Sequence, residues 1–226
     1  GGAWTVLLAG ILGMLTFSRF VDARALSGGG LLPLSATVPE LWAHVGYGWN
    51  DLAQQVVAAD PFAAVLAVLG SLTFWNPSFS IVLVYLVALP LAALAAWLCA
   101  ASISERTWAP TLAAAAWTLA PSFLVSLGEG QLGAVLAHIL LPWLVLTVLR
   151  AAHNWAMSAL AALLFAAITA AAPSLIPALV VALVAWIVVR PKAAHRLVWI
   201  VIPAAALFAP LVIQQWARGN FWAIFA

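Results

Sequence analysis

Seven stretches of this chain, residues 3–20, 79–101, 108–126, 131–149, 155–171, 174–189 and 197–213, carry one charged residue between them, Arg19. Crossing the hydrocarbon of a bilayer takes about 20 apolar residues in a helix, with a range of about 17 to 25. Runs of this length and number predict an all-α, polytopic bundle of about seven spans. An aqueous alternative fails on composition. Hydrophobic residues make up 67% of the chain and charged residues 6%, against about 25% charged in a soluble domain. Too few polar side chains exist to cover an outside, so the outside is lipid. The single cysteine, Cys99, lies in an apolar run and permits no disulfide framework. A formal charge of +2 points to no nucleic-acid partner.

An eighth apolar segment, residues 61–74, decides the topology. It is short for a span and long for a loop. If it crosses, seven of the eight Lys and Arg residues share a face with the long loop, which itself holds four of the six acids. If it lies in the interface, Arg106, Arg150, Arg190, Lys192 and Arg196 gather on one face with Glu105 alone. Asp22, Glu40, Asp51, Asp60 and Glu129 then take the other face with Arg19, Arg24 and Arg218. The second arrangement sorts charge as the positive-inside rule requires and makes the basic face cytoplasmic. The chain then divides into a first span, an outward loop at 21–78 and a helical bundle at 79–213, one membrane domain over 1–226. A run that opens inside a span with no basic stretch before it does not read as a cleaved signal peptide. It reads as an excerpt of a longer protein.

The outward loop has structure of its own. A Gly/Leu-rich turn at 27–34 precedes a helix opened by Thr37, with Pro39 and Glu40 in its first turn. Leu41, Trp42 and Val45 suggest an apolar face with His44 off it. Gly46-Tyr47-Gly48 ends that helix, and Asn50 is placed to cap a second one through 51–59. Asp60 followed by Pro61 is an arrangement that starts helices, predicting a third over 61–74. Trp42, Tyr47, Trp49 and Trp75 suit the headgroup level, where amphipathic rings concentrate.

One span, a long outward loop with interface-lying helices and then a multi-span bundle resembles the N-terminal layout of GT-C class glycosyltransferases. The segment 60–77 running into 79–104 is similar to their juxtamembrane helix and second span. Gly28-Gly29-Gly30-Leu31-Leu32-Pro33, Leu41-Trp42, Gly46-Tyr47-Gly48-Trp49 and His138-Ile139-Leu140-Leu141-Pro142-Trp143 resemble a narrower group. These are large actinobacterial proteins with a cytoplasmic family-2 glycosyltransferase domain fused to a many-span membrane region. The resemblance covers the membrane part only, through loose motifs that mark a layout rather than a substrate. It implies sugar transfer at the outer face of the bacterial cytoplasmic membrane, from a polyprenyl-phosphate donor to a cell-envelope glycan or protein. Its partners would be the bilayer, that donor, the acceptor and other domains of the same longer chain.

GT-C enzymes generally place an essential acid in the first outward loop, and Asp22 is the residue in that position. A carboxylate there would take the proton of the acceptor hydroxyl as the phosphate leaves. Arg19 and Arg24, or a divalent cation, would stabilise the departing phosphate. The paired acids frequent in that loop are missing from this chain. Asp51 and Glu129 are the other catalytic candidates, while Asp51 and Asp60 also fit ordinary helix-start roles. Arg19, Arg24, His44, Trp49 and His138 are the substrate-binding candidates. Glu129 sits in Gly128-Glu129-Gly130-Gln131, and His138 follows Gln131 by seven residues, two turns down the same helix face. Pro142, four residues beyond, leaves the His138 carbonyl without its helical partner. Either His138 and Glu129 line an outward polar cavity, or His138 serves the backbone at the kink.

No Walker A, HExxH, GxSxG or paired CxxC motif occurs. A non-catalytic scaffold, or a transporter or flippase for lipid-linked sugars, remains the alternative. The collection of polar residues in one outward loop, rather than at midplane breaks in the spans, favours the enzyme.

Overall fold

The computed structural model describes residues 2–21, 23, 25–31, 33–35, 37–50, 55–217 and 219. Helix α1 (Gly2–Phe17) is followed by the loop, which carries α2 (Val38–Ala43), strands β1 (Tyr47–Asn50) and β2 (Gln55–Ala58), and α3 (Phe62–Leu72). The bundle continues with α4 (Phe79–Ile103), α5 (Ala109–Thr118), α6 (Pro121–Gly128), α7 (Leu132–Ala151) and α8 (Trp155–Ala171). It ends with α9 (Ile176–Val189), α10 (Ala194–Leu197) and α11 (Ile202–Ala217).

Among the described residues, five helical stretches are long and apolar enough to cross a membrane: 2–20, 79–103, 109–128, 132–151 and 191–217. The pair α8 and α9 passes the same test only jointly, with a bend of 118° between its members. Five or six spans therefore stand on length and composition, where the sequence suggested seven. The expected hairpin at Pro173–Pro177 is an open one. Ala152 and His153, just before α8, border the same cavity as Arg190 and Lys192, just after α9.

Helix α4 is the centre of the bundle. Ala88, Ala92, Ala93, Ala95 and Ala96 are buried along it, letting α1, α5 and α7 approach its backbone closely. Helix α8 repeats the device with Ala161, Ala162, Ala166 and Ala170. Small residues suit helix contacts in lipid, where apolar burial itself supplies no drive and close packing does. Helix α1 buries only Ala9, Gly13 and Phe17, one stripe at four-residue spacing, while Leu7, Leu8, Ile11, Leu12, Met14 and Leu15 stay exposed. Unbroken apolar exposure of that extent is out of place in water and expected against lipid.

Within the loop, α2 is built as the sequence predicts. Glu40 accepts from the Thr37 N–H at 3.4 Å, closing a capping box. Asp60 accepts from the Phe62 N–H at 2.9 Å and starts α3. Eleven residues rise about 16 Å, roughly half the hydrocarbon thickness. Of the second loop helix expected at 51–59, residues 51–54 lie outside the described residues and 55–58 form a strand instead. Tyr47–Asn50 pairs antiparallel with Gln55–Ala58, joining Tyr47 to Ala58 and Asn50 to Gln55, so the all-α expectation gives way here to one small hairpin. Asn and Asp serve turns as well as they serve helix starts, and the Gln55-Val56-Val57 run has strand preference. The Ala58 N–H donates to the Gln214 side-chain oxygen at 2.7 Å, tying this hairpin to the end of α11.

The long loop is seated on the bundle. Gly28 and Leu31 close a tight turn through reciprocal backbone bonds, and the Gly30 N–H donates to the Glu129 carbonyl at 3.0 Å. Ser78 donates to the Leu34 carbonyl at 3.3 Å, and the Trp42 indole to Ser71 at 3.0 Å. The eighth segment forms only the eleven residues of α3 and is not among the stretches long enough to cross.

Candidate functional site

The site starts from two prolines. A proline at position i+4 cannot donate to the carbonyl of residue i. Pro121 thus strips the helical partner from the Trp117 carbonyl, and Pro142 strips it from His138. At Pro121 the run expected as one span at 108–126 breaks into α5 and α6, with Ala120 at ψ 126°. At Pro142 helix α7 continues through the kink.

Each residue repairs the other's break. The Trp117 indole N–H donates to the His138 carbonyl at 3.1 Å, and His138 Nε2 lies 2.9 Å from the Trp117 carbonyl. A carbonyl only accepts, so Nε2 carries the proton and, in the neutral ring, Nδ1 keeps its lone pair. A longer bond of 3.4 Å from the Ala120 N–H shares the Trp117 carbonyl. The imidazole stacks on Trp117 with centroids 4.3 Å apart and on Phe123 at 4.2 Å. Rotamer and tautomer of His138 are both set.

His138 borders a cavity of about 260 Å³ with Ser122, Ser126, Leu141 and Ser174, between α6, α7 and the α8–α9 turn. Glu129 is not in its lining. That carboxylate stands exposed on the α6–α7 turn, accepting from the Gln131 side-chain N–H at 2.6 Å. Seven residues of helix separate Gln131 from His138, a rise of about 10 Å. The turn owes its shape to Gly130, whose φ of 73° is costly for any residue with a Cβ.

The other candidates are dispersed. Arg19 is exposed in the single 3₁₀ turn that follows α1. His44 Nδ1 lies 2.6 Å from the Glu40 carbonyl and closes the end of its own helix. Trp49 gives its backbone to β1, opposite Val56. Asp22, Arg24, Asp51 and the Trp49 side chain lie outside the described residues. Among the described residues no three of His, Cys, Asp and Glu converge as a cation site would require.

Trp117 is the residue that sequence reasoning passed over. Its signal was present: Pro121 stands four residues after Trp117 just as Pro142 stands four after His138. We expect Trp117→Phe to cost about 1–3 kcal/mol by orphaning the His138 carbonyl. In a Pro142→Ala background, residue 142 regains its N–H and the same change should cost less. A double-mutant cycle on unfolding in detergent should show coupling of about 1 kcal/mol; additive effects would mean that the indole does not serve the proline's carbonyl.

Helices of this number, length and lipid-type exposure define a multi-pass helical membrane protein, with one structured loop folded over one end of its bundle. Compared with family models, curated proteins and solved structures, the chain matches none.

Proposed function

We propose that this chain is the membrane region of a glycosyltransferase of GT-C-like layout. It acts at the outer face of a bacterial cytoplasmic membrane, moving sugar from a polyprenyl-phosphate donor to a cell-envelope glycan or protein. The observation that carries this is the docking of the long loop on the α6–α7 turn through the Gly30–Glu129 bond. It brings the loop that holds Asp22 and Asp51 to the same end of the bundle as Glu129 and the His138 cavity. Arg106, Arg150, Arg190, Lys192 and Arg196 belong to the opposite end with Glu105, which makes the loop end external by the positive-inside rule.

The chemistry asks for a base and a phosphate partner. The acceptor oxygen bonds to the anomeric carbon, the carboxylate takes the hydroxyl proton, and the sugar–phosphate bond breaks with its electron pair on phosphate. The Glu129 carboxylate is exposed and, among the described residues, accepts from Gln131 alone, so it is open to an acceptor. His138 presents an Nδ1 acceptor in a fixed orientation, suited to a sugar hydroxyl. Arg19 stands at the same end for the phosphate.

Asp22→Asn, Asp51→Asn and Glu129→Gln, made singly in membranes supplied with polyprenyl-phosphate sugars, test the assignment. At least one should lower transfer by about a hundredfold or more. Transfer surviving all three changes would remove the catalytic claim. Movement of the lipid-linked sugar across the bilayer with no new glycosidic bond would establish the transporter reading instead.

A further inference from the structure

The opposite, basic end of the bundle carries a second site, which does not depend on the proposed activity. Helix α9 leaves α8 at a bend of 118° and buries only Leu183 of its fourteen residues. The opening leaves an apolar groove of about 190 Å³ between α7 and α9, floored by Phe165 of α8. Val145, Val148 and Leu149 form its α7 wall, and Leu179, Ala182 and Trp186 its α9 wall.

One helical turn further along both walls, the chemistry changes sign. Leu149 gives way to Ala152 and His153, and Trp186 to Arg190 and Lys192, around a second cavity of about 390 Å³. A turn is about 5 Å, so groove and cavity adjoin. No carboxylate lines either one. The one acid placed at this end, Glu105, lies exposed between α4 and α5. Arg190 sits over the Trp186 ring at 5.6 Å, and Arg196 over Trp155 at 5.5 Å. Indoles carrying cations in this way mark headgroup depth. Trp186, in the groove wall, also keeps a buried indole N–H with no hydrogen-bond partner among the described residues.

We propose that this slot holds one anionic phospholipid, its phosphodiester against His153, Arg190 and Lys192 and an acyl chain in the groove between α7 and α9. Free phosphate would satisfy the cations and leave the groove unexplained. A neutral lipid would fill the groove and leave the cations unmatched. Basic pockets between helices on the cytoplasmic side are suited to acidic headgroups.

The test uses the full chain in detergent micelles, titrated with phosphatidylglycerol brominated on its acyl chains. Trp186 is read as the difference in indole quenching between the chain and its Trp186→Phe variant. Saturable quenching is expected with phosphatidylglycerol, and much weaker quenching with phosphatidylcholine brominated in the same way. Arg190→Gln with Lys192→Gln should weaken the phosphatidylglycerol interaction about 25-fold, about fivefold per cation. Ala182→Phe, which fills the groove and spares every charge, should abolish the Trp186 signal. Inorganic phosphate at equal concentration should not compete. Equal quenching by the two lipids, or unchanged affinity in the double variant, would overturn the headgroup assignment. Undiminished quenching in Ala182→Phe, or displacement by inorganic phosphate, would overturn the acyl-chain assignment.

Discussion

Replacing Gly133 with leucine should lower the stability of the folded chain by about 3 kcal/mol or more, with loss of the α7–α8 packing. Gly133 lies in the first turn of α7, and a Cβ built there runs into the Ala171 carbonyl at the end of α8. The obstacle is backbone, so no rotamer change relieves it; the helices must part. Overpacking an ordinary core costs about 1–3 kcal/mol because side chains share the strain, and a rigid carbonyl puts this site at the top of that range or above. Parting α7 from α8 also opens the contact on which Ile168, Phe165 and the alanines of α8 depend. Gly10 is the control, since a Cβ there meets nothing within 4 Å. Gly10→Ala should therefore leave stability unchanged or raise it by about 0.5–1 kcal/mol through helix propensity. Denaturant unfolding in detergent compares the two. A Gly133→Leu protein as stable as the parent would mean that α7 and α8 do not meet as closely as described.

The same contrast shows what the sequence could disclose. Apolar runs announce helices without reference to any partner, so α1, α4, α7, α8 and α9 were legible within a few residues. Charge sorting placed α3 in the interface, and its eleven residues fall short of a candidate span. One element was misread because the same residues serve competing geometries. Asn50 and Asp51 can cap a helix or turn a hairpin, and the pairing of Tyr47 with Ala58 chose the hairpin. Pro121 was read as a kink within one span, and α5 and α6, parted at Ala120, still form one stretch long enough to cross. At the site, the proline-freed carbonyl of His138 was readable from spacing alone. Its partner was not, because Trp117 lies 21 residues away on another helix. The glycines of 28–30 and 128–130 were visible as two turns. That they are one contact is a fact of the tertiary fold.

That contact gives the second large effect. Gly29 has φ 58°, and a Cβ on it would collide with the Glu129 carbonyl; a Cβ on Gly130 would lie 2.9 Å from the Gly28 carbonyl. Gly29→Ala therefore carries two penalties. The left-handed conformation costs about 1–2 kcal/mol for a residue with a Cβ, and the collision forces the turn off Glu129. The core between α7 and α8, around Phe165 and Ile168, does not include the turn, so global unfolding should change less than loop docking while the loop lifts. Labelling of Ser35→Cys in a Cys99→Ala background, by an impermeant thiol reagent added from the loop face, reads that lifting directly. A docking loss of about 2 kcal/mol should raise the labelling rate by about thirtyfold. Gly46→Ala, whose Cβ meets nothing within 4 Å, should leave the rate unchanged. If Gly29→Ala and Gly46→Ala label alike, the loop is held by its other contacts, Leu34 to Ser78 and Ala58 to Gln214. The carboxylates of the loop and of the α6–α7 turn would then share an end of the bundle without sharing a site, and the glycosyl-transfer proposal would lose the observation on which it stands.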